Sequence, residues 1–271
     1  MRRILLHLGL HKTGTTAAQS FLYENRELIW PHYSLVLPYK TRKSGLANAA
    51  TRHSVYRLDD TLATFGSKMN MFLGQIHFGT RRGLILSEEN FGGLRPSRNR
   101  AEGYAATPEL ASTLVGTIRR QLIGDEVDIT IYLSLRERFE WLRSLWAHDL
   151  QRRRLVEDFD TFCAALDHLP DLPTVANRIQ ERLPEVGVQT RWLEDLQETR
   201  FGPGTPFAEF LGLPQDKASK LVPPSKSNTS LPQDALTELL ALNRSSLEDT
   251  ALVARKKALI KSARRALADQ T

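Results

Sequence analysis

The chain opens with a hydrophobic run that meets a glycine turn, because Ile4 to Leu22 reads ILLHLGLHKTGTTAAQSFL. The apolar residues Ile4 to Leu8 predict a strand, and the apolar positions after Gly14 have helical spacing. A glycine turn between a strand and a helix presents backbone N–H groups and the positive end of the helix dipole to an anion. The stretch therefore predicts an α/β protein that binds an anion at its first turn.

The lysine of this turn lies at an unusual position. Gly9 and Gly14 have the spacing of the glycines in the nucleotide triphosphatase loop G-x-x-x-x-G-K-[ST]. Thr15 lies where that loop has its lysine, and Lys12 lies inside the turn instead. From there its ammonium group can reach the outer end of a bound anion. The hydroxyl donors of the turn are Thr13, Thr15 and Thr16.

Further apolar runs alternate with helical stretches, which predicts β-α units and a parallel sheet with helices on its faces. The predicted strands cover residues 3–8, 83–87, 127–135 and 186–192, with a weaker strand at 35–37. The predicted helices follow the first turn and cover residues 108–122, 138–150 and 174–183. We expect the fold class α/β, with a P-loop-type parallel central sheet flanked by helices.

The length of 271 residues is compatible with one large α/β domain, and we expect a single domain over residues 1–271. Residues 199–234 are rich in proline and glycine, which predicts an ordered loop region with one short helical piece at 207–211. Residues 235–268 are amphipathic and predict C-terminal helices with a basic end. A surface helix is the favoured interpretation of that end, and contact with a membrane surface stays open.

The composition is that of a globular protein, with 41% hydrophobic and 25% charged residues. The single cysteine excludes an intrachain disulfide, and no window has the roughly 18 apolar residues of a membrane-spanning helix. We therefore expect a soluble, cytoplasmic protein. The formal net charge of +6 favours anionic partners without choosing among nucleotides, acidic glycans, nucleic acids and membranes.

The stretch GLHKTGTTAAQ resembles the 5′-phosphosulfate loop of sulfotransferases, in particular the bacterial and Golgi-type branch with its HKTGTT sequence. The resemblance implies 3′-phosphoadenosine 5′-phosphosulfate as the sulfuryl donor. It implies that Lys12 binds the phosphosulfate and assists the leaving phosphate. Gly14, the three threonines and His11 would form the donor site, where His11 would position the loop or a substrate.

A second element of the same family binds the 3′-phosphate, and IYLSLRERFEWLRSLWAH resembles it. Arg136 ends the strand, and Ser144 follows eight residues later on the predicted helix. An arginine at the carboxyl end of a parallel strand lies at the usual ligand edge and can bind phosphate with two N–H groups. RWLEDLQ, FAEFLGLP and KSNTS resemble further, mostly structural segments of the family, with Trp192 in place of a tyrosine.

Sulfuryl transfer to a hydroxyl group needs a base, and the sequence offers two candidates. Glu88 follows an apolar strand at the ligand edge, with Glu89 beside it as a like-charged neighbour that would raise its pKa. His53 lies in a polar stretch that we interpret as a loop after the weak strand. Because branches of the family use either a glutamate or a histidine, the resemblance does not decide, and we favour Glu88.

Two other function classes compete with a sulfotransferase. A small-molecule kinase or triphosphatase would use the glycine turn, but the lysine after Gly14 and a clear Mg²⁺-binding aspartate are missing. A non-enzymatic binder of nucleic acid or anionic glycan would explain the charge, but we find no nucleic-acid-binding motif. We expect no metal, no nucleic-acid partner and an acceptor hydroxyl on a glycan, glycolipid or small molecule.

Overall fold

The computed structural model describes residues 1–79, 81–96, 103–225 and 230–269. In chain order the strands are β1 (Arg2–Leu8), β2 (Tyr33–Val36), β3 (Gly83–Glu88), β4 (Val127–Leu135) and β5 (Gly187–Trp192). The helices are α1 (Thr15–Glu24), α2 (Arg26–Ile29), α3 (Pro38–Lys43), α4 (Leu46–Tyr56), α5 (Asp59–Gly74), α6 (Thr107–Gln121), α7 (Arg138–Arg152), α8 (Phe159–Ala165), α9 (Leu172–Arg182), α10 (Leu193–Leu196), α11 (Thr205–Leu211), α12 (Gln215–Ala218), α13 (Gln233–Arg244) and α14 (Asp249–Ala268). Short 3₁₀ turns cover Glu89–Gly92 and Gly202–Gly204.

The strands form one five-stranded sheet in the order β2-β3-β1-β4-β5, and every pairing in it is parallel. The glycine turn follows β1, the central strand, which is paired on both sides. This confirms the predicted fold class, an α/β protein with a P-loop-type parallel central sheet flanked by helices. The bounds of β4 are the predicted ones, and those of the other strands differ from the predicted ones by at most two residues.

The chain divides into two compact units. The first, Met1–Glu137 with Leu169–Ser227, holds the sheet, and the second, Arg138–His168 with Asn228–Thr271, is helical. We expected one domain over residues 1–271, and that expectation stays a prediction.

In the first unit, apolar residues of the sheet and of the surrounding helices form a continuous core. Leu5, Ile85 and Tyr132 from neighbouring strands pack with Phe21 of α1 and Phe207 of α11. On other surfaces of the unit, α5 packs against α4 and α6, and α6 packs against α9. The proline-rich region is ordered here, because the buried side chain of Asn25 bonds both the N–H and the carbonyl of Val222.

Three helices occupy a region where the sequence predicted no regular structure. Residues 38–74 form α3, α4 and α5, and α12 adds a second helical piece to the proline-rich region. The interpretation of residues around His53 as a loop is therefore wrong. The helices there have modest apolar faces, and tertiary packing rather than a strong sequence period stabilises them.

In the second unit, α7 packs against α8 and α13, and α13 packs against α14. Its core contains Trp146 and Leu150 of α7 with Leu236 and Leu239 of α13. The predicted C-terminal helices are confirmed as α13 and α14. Among the described residues, no helix is both long and apolar enough to cross a membrane.

Candidate functional site

The glycine turn and the ends of two strands meet at one edge of the sheet. In the register of the sheet, Leu8 at the end of β1 pairs with Glu88 at the end of β3. β4 runs parallel on the other side of β1 and ends one residue before Arg136. Because all three strands point the same way, the turn, the Glu88 region and Arg136 leave the sheet at its carboxyl edge. That edge is the usual ligand edge of an open parallel sheet.

The turn is built from two left-handed backbone positions. Gly14 has φ 88° and Lys12 has φ 67°, a conformation that is uncommon for a residue with a side chain. The turn leads directly into α1, whose first helical hydrogen bond runs from Ala18 N–H to the carbonyl of Gly14. The first-turn amides of a helix have no acceptor within the helix. The backbone of this turn is therefore arranged as an anion site.

The turn packs closely, and its glycines make that possible. A Cβ on Gly9 would lie 2.7 Å from the Cγ2 of Thr15, and a Cβ on Gly92 would lie 2.8 Å from the carbonyl oxygen of Gly9. A Cβ on Gly14 would lie 2.8 Å from the Cδ1 of Leu193. Side chains at these three positions would displace the turn, so the glycines set the path of the backbone around the anion site.

The threonines of the turn divide into two groups. The buried hydroxyls of Thr13 and Thr15 both donate to the carbonyl of Leu10, at 2.8 and 3.2 Å. Each hydroxyl has one proton to donate, and these two protons are used inside the turn. Thr16 is exposed, so its hydroxyl is the one best placed to donate to a ligand. Donor binding by all three hydroxyls stays a prediction from the sequence.

His11 is held by a residue that the sequence analysis did not identify. Its backbone N–H donates a 2.9 Å hydrogen bond to the hydroxyl oxygen of Tyr104, and the two rings lie 6.2 Å apart. Tyr104 is buried at φ 64°, and burial raises the pKa of its hydroxyl. Tyr104 lies in a stretch that matched no motif, and its chain position gave no signal. This contact supports a positioning role for His11.

Arg136 contacts the turn directly. One guanidinium nitrogen donates a 3.1 Å hydrogen bond to the backbone carbonyl of Lys12. On another side, its Nε lies 3.9 Å from a carboxylate oxygen of Glu194, which also accepts from the N–H of Glu137 at 3.4 Å. Glu194 belongs to the segment RWLEDLQ, which we had interpreted as structural. The arginine predicted to bind a phosphate is thus located at the glycine turn, with a carboxylate beside it.

Ser144, the predicted partner of Arg136, is half-buried on α7 in the second unit. Its role as a donor to the same phosphate stays a prediction. The segment KSNTS lies at residues 226–230, and positions 226–229 of it are outside the described residues.

Glu88 and Glu89 have different surroundings although they are neighbours. Glu88 is fully buried, and its carboxylate accepts hydrogen bonds from the hydroxyl of Thr41 and, at 3.1 Å, from the N–H of Asn90. The side chain of Glu89 is only partly buried, and its Cγ lies 3.1 Å from the position that a Cβ on Gly9 would take. Glu89 is therefore the carboxylate that lies against the glycine turn.

The pKa of Glu89 also differs from that of an ordinary glutamate. Burial raises it first and the charge of Glu88 raises it further, while the cationic side chains of Arg42 and Lys12 lower it by less. The charge of Glu88 is thus one cause of the raised pKa of Glu89. A raised pKa makes the carboxylate of Glu89 a stronger base than that of an ordinary glutamate.

His53 lies on α4 with both ring nitrogens engaged. Nδ1 lies 3.0 Å from the hydroxyl of Thr61, and Nε2 lies 2.9 Å from a carboxylate oxygen of Glu109, which Arg57 also binds through two nitrogens. The imidazole is 2% exposed. His53 is thus the buried member of a hydrogen-bond network that joins α4, α5 and α6, and this geometry favours a structural role.

A second buried histidine lies below the turn. His7 of β1 is fully buried, its Nδ1 lies 2.8 Å from the hydroxyl of Ser87, and Gln19 of α1 donates to that same hydroxyl at 3.2 Å. Burial lowers the pKa of His7 to about 3, so the ring is neutral at physiological pH. This group joins β1, β3 and α1 under the anion site. No pattern in the sequence indicated a role for His7.

Within the part of the chain that the structure describes, no three histidine, cysteine, aspartate or glutamate side chains group as metal ligands. The expectation of a metal-free reaction stays a prediction.

Comparisons with known proteins assign no family to this chain. No protein-family model matches the chain. No curated protein matches it either. The solved structure of a sulfotransferase from Alicyclobacillus acidocaldarius is 15% identical, with a TM-score of 0.45, over 97% of this chain and 95% of that chain. A likeness of this size carries no argument about function, which has to come from the residues of this chain.

Proposed function

We propose that this protein is a sulfotransferase that moves the sulfuryl group of 3′-phosphoadenosine 5′-phosphosulfate to an acceptor hydroxyl. The observation that carries the proposal is the position of Lys12. Lys12 lies inside the glycine turn, and Arg136 donates a hydrogen bond to its backbone carbonyl. Glu89 is close enough that the charge of Lys12 lowers the pKa of the Glu89 carboxyl group. The resemblance of GLHKTGTTAAQ to the phosphosulfate loop gives this arrangement its chemistry.

The turn would hold the phosphosulfate through its backbone amides and the hydroxyl of Thr16. Negative charge develops on the bridging oxygen as the S–O bond breaks, and the ammonium group of Lys12 would stabilise it there. A sulfuryl group carries less charge than a γ-phosphoryl group, so this role does not require the lysine after Gly14 that triphosphatases use. Arg136 would bind the 3′-phosphate.

We propose Glu89 as the general base, in preference to Glu88 and His53. The acceptor oxygen bonds to sulfur while its proton passes to the carboxylate of Glu89. Glu89 is partly exposed beside the turn and has a raised pKa, whereas Glu88 is fully buried and His53 is bound on both ring nitrogens. Glu88 would instead fix the start of the 3₁₀ turn Glu89–Gly92 that carries Glu89. Glu88 stays the alternative base.

The acceptor is proposed only by class, as a hydroxyl on a glycan, a glycolipid or a small molecule. A test of the proposed function is product analysis by mass spectrometry. The protein is incubated with the phosphosulfate donor and a panel of such acceptors, and in parallel with ATP and Mg²⁺. We expect release of 3′,5′-adenosine bisphosphate with a sulfated acceptor. Acceptor-dependent formation of ADP would instead identify a kinase.

A further inference from the structure

A large cavity lies beside β2, in the first unit. Its volume is about 680 Å³, within the range of roughly 300–1,000 Å³ of small-molecule pockets. Its lining contains five apolar residues, namely Trp30, Leu35, Val36, Phe72 and Ile76. It also contains three basic residues, Lys40 and Lys43 of α3 and Arg82 before β3. None of these residues belongs to the glycine turn or to the proposed donor site.

The cavity follows the edge of the sheet, but it is not an open edge for another strand. β2 is the outermost strand, and its Leu35 carbonyl accepts a 2.9 Å hydrogen bond from the Nζ of Lys40. Lysine side chains at an edge strand commonly prevent another strand from pairing with it. Burial lowers the pKa of Lys40, which agrees with the apolar surroundings of its stem. A small ligand therefore fits this place better than a peptide strand.

The positive charges of the cavity are not neutralised by carboxylates. Among the described residues, no Asp or Glu lies within ion-pair distance of Lys40, Lys43 or Arg82, and the described lining contains neither residue type. Arg82 is oriented by backbone carbonyls instead, those of His77 and Trp30. Lys43 is exposed. A cavity lined by apolar side chains and by cations without a carboxylate partner is complementary to an apolar ligand with one acidic group.

We propose that this cavity binds a single-chain amphiphile with an anionic head group, its chain against Trp30 and Phe72 and its head group at Lys43 and Arg82. The lining shares no residue with the glycine turn or with the proposed donor site. The proposal gives a ligand-binding role to Lys43 and Arg82, which the proposed sulfuryl transfer does not use.

The test is a titration of the full chain with decanoate, below its micellar concentration, followed by calorimetry and by tryptophan fluorescence. Decyl glucoside provides the same chain with a neutral head group, and acetate provides the head group without the chain. We expect saturable binding of decanoate and no saturable binding of decyl glucoside or acetate. Trp30 lines the cavity and is 41% exposed, so decanoate should change the emission of the unmodified protein and not that of Trp30→Phe.

Two variants separate this site from non-specific adsorption. Lys43→Met combined with Arg82→Gln should weaken decanoate binding about tenfold or more, because charged hydrogen bonds are lost. Lys220→Met removes an equally exposed lysine outside the cavity and should change nothing. Gln75→Trp places a bulky group at an exposed lining position and should abolish decanoate binding while leaving binding of 3′,5′-adenosine bisphosphate intact.

Equal binding of decyl glucoside, or decanoate binding that Lys43→Met with Arg82→Gln leaves unchanged, would overturn the proposal. Concentration-dependent dimers that Gln75→Trp dissociates would also overturn it, and they would assign the cavity to a second copy of the chain. These outcomes are separate from the sulfotransferase proposal, since a protein without donor binding could still bind decanoate here.

Discussion

Arg136 and Lys12 are 124 residues apart in the chain, and the guanidinium of Arg136 donates a 3.1 Å hydrogen bond to the backbone carbonyl of Lys12. The bond joins the end of β4 to the turn after β1. Because that carbonyl belongs to a residue with φ 67°, the bond also stabilises an uncommon backbone conformation. A lysine and an arginine are thereby brought to one ligand edge, which suits a ligand with two separate anionic groups.

The conformation of the turn can be tested by comparing two glycines. Gly14 and Gly124 have φ of 88° and 93°, but only at Gly14 would a Cβ meet other atoms, those of Leu193 and Pro203. Gly124→Ala should cost about 1–2 kcal/mol of unfolding free energy, the cost of a left-handed residue alone. Gly14→Ala should cost more and should also weaken binding of adenosine bisphosphate. Urea denaturation and calorimetry measure both, and equal costs for the two variants would speak against the close packing.

Lys12→Ala tests the role of the lysine in the reaction. If Lys12 stabilises the charge on the leaving oxygen, turnover should fall about 10²–10³-fold, as for the loss of other groups that act on the transition state. Binding of 3′,5′-adenosine bisphosphate should fall by much less, because the product lacks the sulfuryl group. Turnover near that of the unmodified protein would exclude this role.

Glu89→Gln and Glu88→Gln form a matched pair for the assignment of the base. We expect Glu89→Gln to remove most turnover while donor binding is kept. Glu88→Gln keeps one acceptor oxygen for the N–H of Asn90, and its amide N–H can donate to the Thr41 hydroxyl, whose proton has the Pro38 carbonyl as acceptor. It should therefore retain more activity than Glu89→Gln. The opposite order would return the assignment to Glu88. Turnover of the unmodified protein should rise with pH through the raised pKa of Glu89, since only the carboxylate accepts the proton.

The same raised pKa has a consequence for stability. The folded state holds the Glu89 proton more tightly than the unfolded state, so the stability from this group is present below the ordinary glutamate pKa and is lost as pH rises through the raised one. Glu89→Gln should flatten this decline, which urea denaturation at several pH values measures. An unchanged pH dependence would show that the carboxyl group is not perturbed in the fold.

The effect of His53→Ala separates a structural role from a catalytic one. Removing the imidazole takes one hydrogen-bond partner from each of Thr61 and Glu109 and creates a cavity, so unfolding free energy should fall by about 1–3 kcal/mol. Turnover per folded molecule should be nearly unchanged. A collapse of turnover with stability intact would instead place His53 in the reaction. Arg57→Gln perturbs the same Glu109 from a more exposed position and serves as the milder control.

The sequence was sufficient for the sheet and its ligand edge. Apolar runs such as Val127–Leu135 have few alternatives to a buried strand, and the glycine turn after β1 follows from the spacing of Gly9 and Gly14. Which carboxylate lies against the turn could not be predicted. Glu88 and Glu89 differ in exposure because β3, all of whose residues are buried, ends at Glu88, and a 3₁₀ turn begins at Glu89. A one-residue error in the end of a strand therefore reverses the assignment.

Other parts of the candidate site depend on contacts far apart in the chain. Tyr104 contacts His11, which is 93 residues away in the chain. Glu194, on the helix α10 that follows β5, lies beside Arg136. Single residues of this kind have no local period or motif. The prediction of a loop around His53 was wrong for a different reason. The polar sequence there suggested a loop, whereas packing of α4 on α5 makes His53 a buried helical residue.

The central claim is that the ligand edge binds a donor with a 3′-phosphate and a 5′-phosphosulfate, and calorimetry tests it most directly. The protein is titrated with 3′,5′-adenosine bisphosphate without metal and, separately, with ATP and Mg²⁺; Arg136→Ala is titrated with the bisphosphate and with adenosine 5′-monophosphate. We predict that the bisphosphate binds much more tightly than ATP and that Arg136→Ala weakens the bisphosphate more than the monophosphate. Equal or tighter binding of ATP, or equal losses for the two adenosine ligands in Arg136→Ala, would contradict the account.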